Sequence, residues 1–218
     1  MATESVRLLV LAHTAFGENK LALHTLSEAY GRRSFLVHVG PKTPMALFLP
    51  MNLLEADVTE NPKSSLWSAR NFQALSPLNG LRGNPYKNSI ALFMSEVLYR
   101  AVREEGGYEP GLYERCAQQV LTLDALSFQF SNYPIRFLIE LCTALGFQPS
   151  SEGLAPLAGE YYPLLRQFLA ADFSEAMLIP LTGQQRNDLA AILIRYLEIH
   201  TETTLHIRSL AVLREIYR

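Results

Sequence analysis

Two adjacent arginines, Arg32 and Arg33, are the residues whose type and spacing point most directly to chemistry. They follow a glycine turn in the stretch AYGRRSFLV, which leads into a run of β-forming residues. Neighbouring residues on a strand point to opposite faces, so at least one of the two guanidinium groups must face water. An exposed guanidinium on a small barrel can bind phosphate without reading base sequence. The alternative is a solubilising pair with a cross-strand salt bridge to Glu28 or Glu55.

The sequence lacks the local patterns of enzymes and metal sites. It contains no phosphate-binding glycine loop, no G-x-S-x-G turn and no H-E-x-x-H helix. The two cysteines, Cys116 and Cys142, lie in apolar helical stretches, so we interpret them as core residues and expect neither a disulfide nor a zinc site. His200 and His206 fall on different helix faces, which favours a solvated helix junction over a metal site. We predict no catalytic residue, no metal and no cofactor.

Composition indicates a soluble globular protein. The chain has 218 residues, of which 49% are hydrophobic and 18% charged. The apolar run VRLLVLA is far shorter than the roughly 20 residues that span a bilayer, and Glu4 does not fit the basic start of a signal peptide. We therefore predict a cytoplasmic protein. The net charge of −2 argues against a uniformly basic nucleic-acid binder, although the first 82 residues carry eight basic and six acidic side chains.

The first 82 residues have the pattern of a small β-barrel. The runs VRLLVLAH, NKLALHTL and RSFLVHV predict strands, and MALFLPMNLLEADV predicts a bent strand or two. Four or five antiparallel strands in so short a segment favour a closed barrel, because closure removes exposed sheet edges. An OB-type barrel is one member of that set. Among the nearby aromatic residues, Tyr30 and Trp67 are the candidates for a surface role.

A loop rich in glycine, proline and asparagine, Ser76 to Asn88, marks a domain boundary. We predict a β domain over residues 1–82 and an all-helical domain over residues 83–218. Asn84 and Pro85 have the N-cap and N1 pattern, which predicts a helix that stops at Gly106 and Gly107.

The remaining helices are predicted from apolar periodicity and capping signals. They run from Gly111 to Leu126, over PIRFLIELCTALGF with Gly146 as the C-cap, over YYPLLRQFLAADF, from the capping-box pair Thr182 and Gln185, and from about Thr204. The segment from Gln148 to Glu160 contains proline, serine and glycine and is predicted to be a connection.

Five ordered motifs cover nearly the whole chain: HTAFGENKLALHTLSEAYGRRSFLV, ALFLPMNLLEADV, YKNSIALFMSEVLYRAVREE, RFLIELCTALGFQP and IRSLAVLREIY. Together they resemble the RecO family of bacterial recombination mediators. The form most resembles members from the Bacteroidetes group. The resemblance implies an α+β protein in which an N-terminal OB-fold barrel precedes a helical domain. It also implies a protein without an enzymatic site that binds single- and double-stranded DNA, anneals complementary strands and helps load RecA together with RecR and single-stranded DNA-binding protein.

The resemblance also implies which residues contact DNA and protein partners. The GENKL turn and the YGRRSFLV hairpin fall where the family has its barrel, so Lys20, Arg32 and Arg33 are expected to contact phosphate. Weaker candidates, chosen by charge and location, are Arg7, Lys42, Lys63 and Arg70. The helical domain is expected to receive the acidic, apolar tail of single-stranded DNA-binding protein in an apolar pocket rimmed by a base. The candidates for that base are Arg100, Arg103, Arg115 and Arg136.

Two departures from the family pattern matter. With only two cysteines, the four-cysteine zinc motif of some members is absent, so zinc is not expected. The segment VGPKTPMALF carries one base, Lys42, where members tend to have a longer and more basic loop, so we expect modest, salt-sensitive DNA binding. The alternative function is a RecO-derived adaptor that acts through protein contacts with little DNA affinity. A hydrolase with an unrecognised site is a third class, which a pocket of carboxylates with shifted pKa values would support.

Overall fold

The computed structural model describes residues 3–62, 64–104 and 109–216, and this part of the chain begins with five strands. The strands are β1 (Thr3–Ala15), β2 (Lys20–Ser27), β3 (Gly31–His38), β4 (Leu53–Thr59) and β5 (Trp67–Ala74). They close into a barrel in the order β1-β2-β3-β5-β4. Neighbouring strands are antiparallel except β3 and β5, which are parallel. This arrangement is of the OB type, which confirms the predicted α+β class with an N-terminal barrel.

The first strand is apolar on both faces because it is covered on both faces. Val6, Leu8 and Val10 point into the barrel core. Leu9 and Leu11 point outward and are buried in a second core that the helices form. The run VRLLVLA therefore shows no polar alternation, as expected for a strand that is buried on two sides.

Two parts of the β region differ from the prediction. The first half of MALFLPMNLLEADV is a 3-10 helix, Met45–Phe48, and only the second half forms a strand. The side-chain amide of Asn52 donates to the carbonyls of Ala46 (2.8 Å) and Leu47 (2.9 Å), which provides partners that a strand ladder would otherwise supply. The fifth strand was not singled out from the sequence, because its pattern is broken at Asn71, where φ is 56°.

The helices begin directly after the barrel and continue to the C-terminal part of the chain. They are α1 (Asn79–Arg82), α2 (Pro85–Ala101), α3 (Leu112–Ala125), α4 (Tyr133–Ala144), α5 (Ser151–Ala158), α6 (Tyr162–Ala170), α7 (Phe173–Leu178), α8 (Gly183–Thr201) and α9 (Ser209–Ile216). A short 3-10 helix, Gly159–Tyr161, joins α5 to α6. No helix in the described ranges has both the length and the apolar character that a membrane crossing requires.

Three predicted helix ends are confirmed by their hydrogen bonds. Asn84 caps α2, because its side-chain oxygen accepts from the backbone of Tyr86 (2.9 Å). Gly146, with φ of 83°, ends α4 in a Schellman arrangement in which Phe147 N–H donates to the carbonyl of Cys142 at 2.8 Å. The capping box of α8 forms between Thr182 and Gln185 in both directions.

Other predicted boundaries were wrong. The second helix ends at Ala101, and Gly106 and Gly107 lie outside the described residues. The predicted connection after Gln148 contains α5, which Ser150 caps by accepting from Gly153 N–H at 3.1 Å. The last helix starts at Ser209 and not near Thr204, because a carboxylate from α2 supplies its N-terminal acceptor.

That acceptor is Glu96, which connects α2 to α9. Its carboxylate accepts from the backbone N–H groups of Arg208 (3.1 Å) and Ser209 (2.8 Å) and from the Ser209 hydroxyl (2.6 Å). These bonds outweigh burial and lower the pKa of Glu96. A distant residue therefore sets the start of α9.

The cysteines lie in the helical core. Cys116 and Cys142 are both buried and free, which confirms their interpretation as core residues. Burial raises the pKa of each thiol to about 12, so both stay protonated and unreactive near neutral pH.

Candidate nucleic-acid interface

An open groove of about 890 Å³ lies on the barrel where β3 and β5 separate. The two strands pair only at Phe35 with Trp67 and at Leu36 with Ser68. The segment between β3 and β4 closes the other side of the groove and contributes Lys42 and Phe48. The groove thus opens between β3 and β5, the two neighbouring strands that share the fewest paired residues.

Three of the predicted DNA-contact residues lie at or beside this groove. Lys42 and Arg70 line it, and Lys20 stands opposite His38 in the β2–β3 ladder. All three side chains are exposed, and none forms an ion pair with another residue of the described ranges. These cations are therefore available for an anionic ligand.

The groove also contains two residues that the sequence analysis did not assign to the site, His38 and Phe72. The Phe72 ring is half-buried and packs edge-on against Phe48, with ring centroids 5.1 Å apart. A partly exposed ring beside cations is the combination on which single-strand binders stack bases. His38 stands at the exposed end of β3, where strand alternation could have identified it, whereas no alternation signal marks Phe72, because the pattern of β5 is broken at Asn71.

Arg32 points away from the groove, toward the end of α2. Its Nη1 donates to the carbonyl of Val102, the residue that caps α2, at 3.0 Å. Its guanidinium carbon lies 4.3 Å from the centroid of the Tyr99 ring. A cation at the C-terminal end of a helix also interacts favourably with the helix dipole. Arg32 therefore attaches the helical region to the barrel.

Arg33 packs on an aromatic pair. Its guanidinium carbon lies 4.5 Å from the centroid of the Trp67 ring, which in turn contacts Tyr30 edge-on at 4.9 Å. Trp67 is only 9% exposed, so it offers little surface for stacking a base. The alternative interpretation, a cross-strand salt bridge from this arginine pair to Glu28 or Glu55, is not found among the described residues.

The acidic residues proposed as their partners have other contacts. Glu28 forms a salt bridge with Arg7, whose Nε donates to Glu28 Oε2 at 2.6 Å. Glu55 accepts from the hydroxyl of Ser5 at 2.7 Å. Arg7 is thus partly neutralised, and Lys63 lies outside the described residues.

His24 lies at the seam between the barrel and the helices. Its Nδ1 is 2.8 Å from the hydroxyl of Ser34, whose backbone N–H donates to Glu104 at 2.9 Å. Burial, with the nearby positive charge of Arg32, lowers the pKa of His24. Because Tyr99 packs against both His24 and Arg32, these side chains form one contact set, which we call the seam cluster.

The four arginines predicted to bind partners do not converge. Arg100 lines a largely apolar cavity of about 500 Å³ between α2, α9 and β1, together with Arg208. Arg115 and Arg136 line a separate cavity of about 320 Å³, where Arg136 is paired with Glu140 at 2.6 Å.

The fourth arginine, Arg103, forms hydrogen bonds at the C-terminal end of α8. Its Nη2 donates to the carbonyl of Thr201 at 2.7 Å and to the hydroxyl of Thr203 at 3.2 Å. Within the described ranges, no three histidine, cysteine, aspartate or glutamate side chains are grouped so as to hold a metal ion.

Comparison with known proteins gives the chain's relatives. No family model matches the sequence. Three proteins named DNA repair protein RecO are similar to it: one from Bacteroides fragilis, 30% identical over 96% of this chain and 89% of the relative; one from Phocaeicola vulgatus, 28% identical over 86% and 88%; and one from Christiangramia forsetii, 25% identical over 97% and 98%. Since these matches span nearly the full length of both partners, the chain belongs to the RecO family of DNA repair proteins.

Proposed function

We propose that this protein is a non-enzymatic mediator of DNA repair and recombination that holds the DNA backbone in the groove between β3 and β5. Family membership supports the role in DNA repair. The observation that carries the site is the set of exposed cations without ion-pair partners in the described ranges, Lys20, Lys42 and Arg70, around a groove that contains a half-buried aromatic ring. Cations of this kind bind phosphate, and the ring binds a base by stacking.

The number of available cations sets the expected strength. Each neutralised phosphate of a single strand contributes roughly −0.7 to the slope of log K against log salt concentration. Three cations therefore predict a slope of roughly −2, which corresponds to modest and salt-sensitive binding.

Fluorescence anisotropy with a labelled single-stranded oligonucleotide tests the site. The variant Lys42→Ala/Arg70→Ala is expected to weaken binding about tenfold at low salt and to reduce the salt slope, because two phosphate contacts are removed. The charge-matched control is Arg166→Ala/Arg214→Ala, which removes two exposed arginines from the helical region. An equal loss in both variants, or no binding by the wild type at low salt, contradicts the proposal.

The cavity that Arg100 lines supports a second part of the proposal, the docking of the tail of single-stranded DNA-binding protein. Its walls include the exposed side chains of Leu92 and Val212, and Arg208 provides a second base. Glu96 also lines the cavity and pairs with Arg100 at 3.3 Å, so Arg208 is the base at the rim that an acidic, apolar peptide would meet. With this partner and with RecR, the protein would promote strand annealing and RecA loading at the nucleoid in the cytoplasm.

A labelled peptide with the sequence of that tail tests the docking site. Arg208→Ala is expected to weaken peptide binding at least fivefold, because an exposed base at the rim is lost. Arg115→Ala, which changes the other cavity, serves as the matched control and is expected to bind as the wild type does. Loss of binding in Arg115→Ala alone would move the docking site to the cavity between α3 and α4.

A second candidate function is a protein-interaction adaptor with little DNA affinity. The observation that favours it is that Arg7, Arg32 and Arg33 are engaged by contacts within the protein. The oligonucleotide titration separates the two functions, since the adaptor binds the tail peptide but no DNA.

A further inference from the structure

We propose that His38 is a proton-linked phosphate contact in the groove, so that DNA binding tightens as the pH falls from 8 to 6. The inference rests on the proposed function, because it concerns the same groove. It adds a residue that the charge pattern at neutral pH does not reveal, together with a dependence on pH.

The position of His38 follows from the strand geometry. The parallel pairing of β3 and β5 ends at Leu36 and Ser68. His38 lies two residues beyond the first and Arg70 two residues beyond the second, so the two stand at matching positions on opposite sides of the opening. Both line the groove and both side chains are exposed. A phosphate seated between the two strands would therefore meet Arg70 on one side and His38 on the other.

The charged groups that face His38 come from each neighbouring element. Lys20 lies directly opposite it on β2, Arg70 belongs to β5, and Lys42 belongs to the segment after β3. Glu18 is the acidic residue of the turn between β1 and β2, which joins β3 through the Val39 N–H bond to the Asn19 carbonyl at 3.0 Å.

The negative charge of the bound phosphate determines the sign of the effect. A phosphate held between Arg70 and His38 favours the imidazolium form of His38, so binding takes up a proton. By linkage, the association constant then rises as the pH falls.

The other histidines are placed differently. His13 Nδ1 lies 3.2 Å from the Phe48 carbonyl, His24 belongs to the seam cluster, and His200 Nδ1 lies 2.8 Å from the Tyr196 carbonyl. His206 is exposed in the connection between α8 and α9. Only His38 lines the groove among the histidines, all of which fall within the described ranges.

The experiment measures the anisotropy of one labelled single-stranded oligonucleotide with full-length protein at pH 6, 7 and 8 and constant ionic strength. The wild-type dissociation constant is expected to fall about 3- to 10-fold between pH 8 and pH 6, as one additional ionic contact forms. His38→Gln is expected to bind with nearly the same affinity at all three pH values. His38→Lys keeps the charge at every pH and is expected to bind tightly even at pH 8.

His206→Asn is the matched control, because it removes an exposed histidine outside the groove and asparagine tolerates the positive φ of 45° at that position. It is expected to keep the wild-type dependence on pH. If His38→Gln keeps that dependence, or if wild-type binding does not change with pH, this inference is overturned, whereas the proposal that the groove binds DNA is not affected. If the wild type binds no oligonucleotide at any pH, the proposed function is overturned as well.

Discussion

At the scale of single residues, two arginines of the barrel have different roles because their surroundings differ. Arg70 lines an open groove, whereas the guanidinium of Arg32 donates to the carbonyl of Val102 and packs over the ring of Tyr99. The sequence analysis could identify both as cations on a barrel. It could not distinguish their roles, because the residues that contact the Arg32 side chain lie about seventy positions further along the chain.

Arg32→Ala is expected to reduce the free energy of unfolding by about 1–2 kcal/mol, since it removes one hydrogen bond and one cation–π contact. Chemical denaturation in urea measures this loss. The matched control is Arg70→Ala, an exposed position that is expected to change stability by less than about 0.5 kcal/mol. Full stability of Arg32→Ala together with weakened DNA binding would contradict the structural role and favour the phosphate contact first predicted.

Gly80 in α1 lies so close to the backbone of α3 that the position requires glycine. A Cβ atom at this position would lie 2.2 Å from the backbone carbonyl oxygen of Asp124 on α3. The carboxylate of the same Asp124 accepts from the backbone N–H of Leu81 at 2.7 Å, so α1 cannot move away without losing that bond.

Gly80→Ala is therefore expected to destabilise the protein by about 2–3 kcal/mol, because one helix must shift away from another. The urea midpoint reports the change. Gly40→Ala is the matched control, since a Cβ there would meet nothing within 4 Å. Equal midpoints for the two variants would contradict the steric argument.

At the scale of elements, the helix starts at Asn84 and Thr182 were predicted from local signals, whereas the start of α9, which has a distant partner, was not. Asn84 with Pro85, and Thr182 with Gln185, carry their hydrogen-bond partners within three residues. The start of α9 depends on Glu96, more than a hundred residues away. The groove could not be predicted for the same reason. Barrel closure brings Lys42 and Arg70 together, and no short sequence motif indicates that closure.

The seam cluster predicts how stability depends on pH. The pKa of His24 is lower in the folded protein than in the unfolded chain. Below about pH 6.5 the unfolded chain takes up a proton that the folded state resists, so the contribution of His24 to stability is present above that pH and is lost as the pH falls.

Thermal unfolding at pH 5, 6 and 7 measures this effect. His24→Asn is expected to show a smaller decrease in Tm between pH 7 and pH 5 than the wild type, because the lowered pKa no longer contributes. His206→Asn again serves as the exposed control. A decrease in His24→Asn as large as that of the wild type would exclude His24 as the cause.

At the scale of the whole molecule, the barrel and the helices share a core. Leu9, Leu11 and Leu26 belong to strands, yet they are buried in the cluster that the helices form. The boundary predicted at residue 82 stays a proposal about how the chain is organised. The shared core indicates that the two parts depend on each other for stability.

The full chain is accordingly expected to unfold in one cooperative transition. Separating the parts would expose the outward leucines of β1 and β2 to water, at roughly 1.5–3 kcal/mol for each fully buried side chain. Differential scanning calorimetry checks this through the ratio of the calorimetric to the van't Hoff enthalpy, which should be close to one. Two resolved transitions would indicate that the barrel and the helices unfold separately.

The weak pairing between β3 and β5 has a mechanical consequence for the barrel. Only two residue pairs hold β3 to β5, whereas eight hold β2 to β3. Separating β3 from β5 breaks fewer strand contacts than separating β2 from β3, so we expect the barrel to open first at this junction while the other strand pairs stay intact. The junction coincides with the groove, so the groove is expected to widen there for ligands of larger diameter. The amide hydrogens of Leu36 and Val37 should accordingly exchange with solvent sooner than those along β2.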